Sequence, residues 1–239
     1  MEPVEDFLMD IKLRAEEIQK AFVLHLQGGM VLHVFSGVNL IVHAGECVAL
    51  SGPSGIGKST LLRILYANYK PDRGNVWVQH RGEWVDLLQA KPYRILEIRR
   101  NTIGYVSQFL RVIPRVPALE VVMEPLRSLG YPPEECRLKA EVLLRRLNIP
   151  ERLWTISPTL FSGGEQQRIN LSRSFIYPFP ILLLDEPTAA LDDLNRRIVV
   201  ELIQEAKARG AAVVGVFHDR EVKEAVSTRN FEIPTEKIS

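Results

Sequence analysis

A phosphate-binding loop is indicated by residues 52–59, which read glycine, four residues, glycine, lysine and serine. Glycines let backbone N–H groups curl around phosphate oxygens, and a helix that begins at such a loop points its positive end at the anion. Lys58 would reach the β- and γ-phosphates, and the hydroxyl of Ser59 would be a ligand for Mg²⁺. A glycine-rich turn that matches the pattern by chance is the alternative. The expected nucleotide contacts are Gly52, Pro53, Ser54, Gly55, Ile56, Gly57, Lys58, Ser59 and Thr60.

A pair of acids follows the apolar run at residues 181–184. Such a run is typical of a strand buried inside a parallel sheet, and ligands bind at the C-terminal edge of these sheets. Asp185 is then placed to hold the Mg²⁺ shell, and Glu186 to orient or deprotonate an attacking water. Two solvated acids at a surface strand end would be the usual interpretation of this pair alone. The phosphate loop in the same chain favours the catalytic interpretation.

A second cradle for phosphate is indicated by FSGGEQQR at residues 161–168. A serine hydroxyl and two glycines at a helix N-terminus can bind an anion. A serine-capped turn before a helix is the structural alternative, and it is common for a bare S-G-G. One nucleotide does not need two cradles from one chain, because residues 52–59 already supply the first.

The segment 161–168 resembles the signature motif of ATP-binding-cassette (ABC) ATPases, in which the second cradle serves the ATP of a partner chain. The resemblance implies that the chain binds ATP with Mg²⁺, pairs head-to-tail with a second cassette (a copy or a paralogue) and hydrolyses ATP in the shared interface. The signature contacts would come from Ser162, Gly163, Gly164 and Glu165.

The same resemblance assigns roles to four further residues. Gln108 matches the Q-loop glutamine, which senses Mg²⁺ and couples to partners, and Asp192 ends a D-loop stretch that touches the other subunit. His218 matches the switch histidine, which contacts the γ-phosphate and helps to hold the water, so that it joins Glu186 as a catalytic residue. Phe22 is the candidate for the aromatic ring that stacks on adenine.

Three positions depart from the commonest ABC pattern. Phe161 stands where leucine is usual, Glu165 where glutamine is usual, and Ala189 where the D-loop usually has serine. None of these changes removes a phosphate ligand or the catalytic acid, so we expect hydrolysis. The three substitutions would affect the rate of ATP hydrolysis and the communication between two cassettes across their shared interface.

Four stretches outside the ATPase motifs, residues 61–74, 106–126, 148–154 and 205–219, resemble the L-type ABC subunit of the bacterial carbon–phosphorus lyase system. This resemblance implies a place among soluble lyase subunits and a role in forming α-D-ribose 1-methylphosphonate 5-triphosphate from ATP and methylphosphonate. The partner surface would lie near Arg111 and Arg115, which flank Val112 and Ile113.

Two alternatives to the lyase role remain open. One is the ATPase of a membrane transporter or lipoprotein-release system, whose cassettes carry a similar E-Q-Q-R stretch and receive a transmembrane partner in a groove near Gln108. The other is a non-transport ABC module that acts on nucleic acid or ribosomes. Such proteins usually carry two cassettes or large insertions, and this chain has one cassette.

The elements that must position these residues read as a strand and a helix at residues 46–66 and as alternating strands and helices from residue 181, with a helical block at residues 114–163 that prolines interrupt. Strand–helix alternation implies a parallel sheet with helices on its faces. In the first third, the alternating Val38, Leu40 and Val42 and the turn pairs at 28–29 and 81–82 predict antiparallel strands. The prediction is an α/β P-loop NTPase of the ABC cassette type over residues 1–239. It has an N-terminal antiparallel β subdomain, a mostly parallel core sheet and an inserted α-helical subdomain at about 114–163.

Composition excludes some partners. Lys and Arg total 30 against 29 Asp and Glu, a net charge of +1, which argues against a nucleic-acid footprint. The acidic start does not have the character of a signal peptide, and no apolar run could span a bilayer. We therefore expect a cytoplasmic chain with no nucleic-acid partner and no direct insertion into a membrane.

Overall fold

The computed structural model describes residues 10–24, 29–110 and 114–234. The strands are β1 Ile11–Leu24, β2 Met30–His43, β3 Cys47–Ser51, β4 Arg73–His80, β5 Glu83–Asp86, β6 Ile103–Val106, β7 Ile181–Asp185, β8 Ala212–Val216 and β9 Arg229–Glu232. The α-helices are α1 Lys58–Leu65, α2 Pro92–Asn101, α3 Ala118–Ser128, α4 Pro133–Arg146, α5 Gly163–Phe175, α6 Asp193–Ala208 and α7 Arg220–Val226.

The predicted antiparallel sheet is confirmed. Its strands lie in the order β2-β1-β4-β5, and each neighbouring pair is antiparallel. Arg81 and Gly82 both have positive φ, 52° and 85°, at the turn between β4 and β5. A two-residue turn with this backbone matches the right-handed twist of a hairpin. The other predicted turn begins at Gly28, which lies outside the described residues.

The core sheet has the order β6-β7-β8-β3-β9, and every neighbouring pair is parallel. All residues of β7 and β8 are buried. Parallel strands present their C-terminal ends at one edge of a sheet. The residues that follow β3, β6, β7 and β8 are therefore brought to the same edge, and these include the phosphate loop, Gln108, Glu186 and His218.

The core sheet has an apolar cluster on each face. Successive residues of a strand point to opposite faces, so Leu183 packs with α1 on one face while Leu182 and Leu184 pack with α5 and α6 on the other. Cys47 belongs to the second cluster, and burial raises the pKa of its thiol to about 12. It behaves as a small buried apolar residue.

A third apolar cluster joins α3, α4 and α5 and forms the helical part of the fold. Pro125 lies inside α3. The cluster includes Ile169 and Ile176, so helical packing continues past residue 163, where the predicted insertion ends. Arg111, Val112 and Ile113 lie outside the described residues. In the part of the chain that the structure describes, no helix has the length and apolar character needed to cross a membrane.

The backbone of β6 lies tightly against the core at Gly104. A Cβ atom here would lie 2.6 Å from Phe179 Cδ2 and 2.8 Å from Leu182 Cδ2. We expect Gly104→Ala to lower the free energy of unfolding by about 1–3 kcal/mol, because it overpacks a filled site. Urea denaturation measures this quantity. Gly163→Ala is the control, since a Cβ there meets no atom within 4 Å. Equal stability of the two variants would contradict the packing.

Candidate functional site

The predicted phosphate-binding residues form a loop from the end of β3 to the first turn of α1. Gly57 precedes the helix with φ 99°, and a Cβ atom on it would lie 2.3 Å from Val34 Cγ1 and 3.0 Å from the ring of Phe35. Only glycine fits this position. The first turn of α1 contains no acidic residue, so the positive end of the helix faces the loop without local compensation.

The ammonium group of Lys58 folds back over this loop. Its Nζ donates hydrogen bonds to the carbonyl oxygens of Gly52 at 2.8 Å and Pro53 at 3.0 Å. The cation therefore lies against the backbone of the loop, where it could exchange carbonyl oxygens for phosphate oxygens. Pro53, Ser54 and Gly55 are exposed at the rim of the loop.

Two of the three predicted Mg²⁺ ligands, Ser59 and Asp185, are in contact. Ser59 Oγ donates to Asp185 Oδ1 at 2.7 Å, and the Tyr105 hydroxyl donates to Asp185 Oδ2 at 3.2 Å. Burial raises the pKa of Asp185, while the hydrogen bonds from Ser59 and Tyr105 oppose that rise and the neighbouring Glu186 adds to it. A cation beside this carboxylate would favour its ionised form.

A second polar group forms around Glu186. His218 Nε2 lies 2.8 Å from Glu186 Oε1, and Gln108 Nε2 donates to Glu186 Oε2 at 3.2 Å. Glu186 itself has φ 54°, a backbone conformation that a non-glycine residue rarely adopts and that occurs at functional sites. Three residues predicted from distant parts of the sequence are thus brought together at one edge of the sheet. The amide of Gln108 points at Glu186, and its role as a metal ligand stays a prediction.

The donor set suits Mg²⁺ bound together with phosphate. Mg²⁺ prefers oxygen ligands and usually takes one or two from the protein, with the remainder from substrate phosphates and water. The adjacent hydroxyl of Ser59 and carboxylate of Asp185 match that requirement. No cluster of three or more His, Cys, Asp or Glu side chains able to hold a metal ion occurs in the described residues. Two protein oxygens, from Ser59 and Asp185, would leave the remaining coordination positions of Mg²⁺ to phosphate and water.

The signature segment begins α5 with a capping box. Ser162 caps the helix, and both its backbone N–H and its hydroxyl donate to Glu165 Oε2, at 2.9 Å and 2.7 Å. These hydrogen bonds lower the pKa of Glu165. The hydroxyl predicted to bind phosphate is thus engaged by a carboxylate of its own chain. The sequence pattern S-x-x-E at a helix start is a known signal for this cap.

The start of α5 packs against the loop that follows Glu186. A Cβ atom on Gly164 would lie 2.8 Å from the carbonyl oxygen of Ala190. Buried Gln167 donates to the carbonyl oxygen of Pro187 at 3.1 Å and approaches that of Glu186 at 3.5 Å. The side chain of Asp192 caps α6 by accepting from the backbone N–H of Asn195. Signature, acidic strand and D-loop are therefore one packed unit.

Phe22 lies on β1 beside the segment that follows α1. Its ring meets that of Tyr69 edge-on, with centroids 5.9 Å apart, and Lys20 Nζ lies 5.1 Å from its centroid. The ring is half-buried. Its role as the adenine-stacking residue stays a prediction.

Sequence reasoning missed Tyr105 and Gln167. Tyr105 pairs with Leu183 across two parallel strands, and Leu183 shares a face with Asp185 two residues later. A tyrosine in an otherwise apolar strand was the available signal, because buried tyrosine hydroxyls usually find a partner. Gln167 gave no comparable signal, since its contact depends on how α5 packs.

The comparisons with known proteins agree with this geometry. The family described as ABC transporter matches residues 35–189. An uncharacterised ABC transporter ATP-binding protein of Mycobacterium tuberculosis is 39% identical over 84% of this chain, and the match spans 60% of the relative's own length. The lipoprotein-releasing system ATP-binding protein LolD of Aquifex aeolicus is 36% identical over 95% of both chains. The macrolide export ATP-binding/permease protein MacB of Brucella abortus is 39% identical over 89% of this chain and 32% of its own.

A solved structure is also similar. The dimeric bacterial ABC transporter cassette MJ0796 has a TM-score of 0.83 and 31% identity, and the match covers 92% of this chain and 94% of that one. The same cassette has been solved as a dimer in a post-hydrolysis state with ADP and Pi. None of these relatives is named for the carbon–phosphorus lyase system, so the finer resemblance noted in the sequence receives no support from them.

The position of Lys58 leads to a test of the phosphate loop. We expect Lys58→Ala to weaken binding of a nucleoside triphosphate at least tenfold, because a charge-assisted contact to phosphate is lost. Fluorescence titration with a labelled ATP analogue measures this affinity. Lys91→Ala removes an equal charge at an exposed site before α2 and should bind as the unmodified chain does. Unchanged affinity in Lys58→Ala would contradict the assignment.

Proposed function

This chain belongs to the ABC transporter family of ATPases, and we propose that it is the ATP-hydrolysing subunit of a membrane transport or lipoprotein-release system. The observation that carries the proposal is the similarity to LolD, which extends over 95% of both chains. MacB, named for macrolide export, is similar over most of this chain as well. The domain proposed is a single cassette over residues 1–239, with its helical subdomain beginning near residue 114.

ATP with Mg²⁺ is the cofactor of this family. In our proposal the phosphate loop and Lys58 hold the β- and γ-phosphates, while Ser59 and Asp185 hold the metal. Bound Mg²⁺ supplies positive charge that stabilises the phosphate oxygens during transfer. Both groups of ligands lie at one edge of the core sheet beside Glu186, so a bound nucleotide would present its γ-phosphate to that carboxylate.

Glu186 is the proposed base. Its carboxylate can orient an attacking water and accept a proton from it. The contact with His218 at 2.8 Å fixes the orientation of that carboxylate, and Gln108 holds its second oxygen. We propose that His218 also contacts the γ-phosphate, because it follows β8 at the same edge of the sheet.

A second cassette completes the site. MJ0796, which this chain resembles over 92% of its length, forms a dimer. We propose a head-to-tail pair in which Ser162, Gly163 and Gly164 bind the γ-phosphate of the partner's ATP. Glu165 borders that cradle, and Asp192 at the start of α6 faces the other chain.

A membrane partner would dock in a cleft of about 330 Å³ between α2 and β6 on one side and α3 and α5 on the other. This docking cleft is lined by Leu96, Arg99 and Arg100 of α2 and by Glu124 and Arg173, which form an ion pair at 2.8 Å. Three cations against one carboxylate favour a partner segment with an apolar face and an acidic side chain. We propose that this segment belongs to an integral membrane protein and that the cassette lies on its cytoplasmic side.

The carbon–phosphorus lyase role is the second candidate. It is favoured by the four subtype stretches of the sequence, among them residues 61–74 and 106–126. We place it second because the relatives reported above are transport and release proteins. A lyase subunit would use the same ATP chemistry and dock a soluble assembly in place of a membrane protein.

Replacing Glu186 by glutamine tests the chemistry. We expect Glu186→Gln to lower ATP hydrolysis by about 10²- to 10⁴-fold, because the general base is lost. Binding of MgATP should persist, and a dimer should accumulate in size-exclusion chromatography with MgATP. Glu134→Gln, an exposed position on α4, is the control and should hydrolyse ATP normally. Normal turnover in Glu186→Gln would show that another residue is the base.

Capture of the partner tests the transport role. A tagged chain expressed with its neighbouring genes should co-purify with an integral membrane protein. Leu96→Asp should abolish this capture, because it places a charge at an apolar site in the docking cleft. Leu138→Asp is the matched control, since Leu138 is equally exposed on α4 and does not line the cleft. Recovery of soluble phosphonate-pathway proteins instead would favour the lyase role.

A further inference from the structure

We propose that Tyr105 is a positioning residue that connects the docking cleft to Asp185, the proposed Mg²⁺ ligand. A partner bound in the cleft would then change the orientation of the Asp185 carboxylate. This inference rests on the proposed function, because it concerns the Mg²⁺ ligand and the cleft assigned there. The docking cleft and the Mg²⁺ site at Asp185 are connected through side chains of α1, α2 and β6.

The first contact is between Tyr105 and the carboxylate. Asp185 is almost fully buried, at 1% exposure, and each of its oxygens accepts one hydrogen bond, from Ser59 at 2.7 Å and from Tyr105 at 3.2 Å. Ser59 is itself a proposed Mg²⁺ ligand, and a lone pair of its oxygen could bind the metal while its proton stays on Oδ1 of Asp185. The Tyr105 hydroxyl donates to the other oxygen and so helps to fix the rotation of the carboxylate.

The second contact is a stack of aromatic rings that reaches the cleft. The rings of Tyr105 and Tyr66 stack with centroids 4.9 Å apart and planes 22° from parallel. The guanidinium of Arg99 lies 4.7 Å from the centroid of Tyr66 and donates to the carbonyl oxygens of Tyr66 and Ala67. Tyr66, Arg99 and Tyr105 all line the docking cleft. A ligand in the cleft therefore touches the same stack that carries the hydroxyl bound to Asp185.

A third set of contacts connects Tyr105 to Phe22, the predicted adenine-stacking residue. The Arg63 guanidinium interacts with the hydroxyl of Tyr105 and donates to that of Tyr69 at 3.0 Å. Tyr69 in turn meets Phe22 edge-on. The hydroxyl of Tyr105 is thus held on one side by a cation and on the other by a carboxylate. Phenylalanine would fill the same space without either interaction, so the hydroxyl carries the proposed role.

A hydroxyl deletion tests the link to the metal. Tyr105→Phe keeps the ring stack and removes the hydrogen bond to Asp185. We expect its affinity for ATP in excess EDTA to match that of the unmodified chain, while the gain in affinity on adding Mg²⁺ falls about three- to tenfold, the effect of one hydrogen bond. Titration of a fluorescent ATP analogue at graded Mg²⁺ concentrations measures both. Tyr66→Phe is the control, because it removes a neighbouring hydroxyl while keeping the stack.

The connection between Tyr105 and the docking cleft is tested by comparing variants of Tyr66 and Tyr105. Tyr66→Leu removes the stacked ring, and we expect it to raise the Mg²⁺ requirement in the same direction as Tyr105→Phe. Combining the two changes should add little further, because both act on one contact. Leu138→Ala, at an exposed position of α4 outside both the cleft and the stack, should leave the Mg²⁺ dependence unchanged. Circular dichroism shows whether each variant is folded.

The outcomes separate the inference from the function on which it rests. If the unmodified chain binds no nucleotide, both are overturned. If it binds MgATP and Tyr105→Phe shows the same Mg²⁺ dependence, the role of Tyr105 is overturned and the proposed function stands. Fully additive effects of Tyr66→Leu and Tyr105→Phe would overturn the connection to the cleft alone.

Discussion

A carboxylate at the end of a fully buried strand is the constraint on which this site depends. Asp185 ends β7, none of whose residues is exposed, and burial opposes its charge. Such a group needs hydrogen-bond donors or a cation nearby. The fold supplies Ser59 from the helix after the phosphate loop and Tyr105 from the neighbouring strand. The loop, the parallel register and the aromatic stack are all arranged around this one position.

The local motifs could be predicted from sequence because each one specifies its own backbone. The phosphate loop requires glycine where Gly57 meets Val34 and Phe35, and the apolar run before Asp185 specifies a buried strand. The meeting of Gln108, Glu186 and His218 followed from parallel strands that share one edge. These features depend on spacing and strand order, which the sequence carries directly.

The remainder depends on packing, which the sequence does not display. Helix α2 was not predicted from the sequence. Ile98 is its one buried residue within the described structure, so no helical repeat of apolar residues identifies it. The bond from Tyr105 to Asp185 depends on the register of β6 against β7. The contact of Gln167 with Pro187 depends on the placement of α5. The extension of the helical cluster past residue 163 has the same origin, because α5 contributes Ile169 to the helical cluster and Leu171 to the cluster on the core sheet.

The capping box at Ser162 has a consequence for how tightly two cassettes hold each other. In the proposed dimer the serine hydroxyl meets a phosphate of the partner's ATP, yet in the single chain it already binds the carboxylate of Glu165. When the proposed dimer closes, the Ser162 hydroxyl would exchange the carboxylate of Glu165 for a phosphate oxygen. The net free energy of this exchange is the difference between two similar hydrogen bonds. A negative side chain at that helix start also repels the incoming phosphate. In the proposed dimer, both effects would make the closed pair easier to reopen.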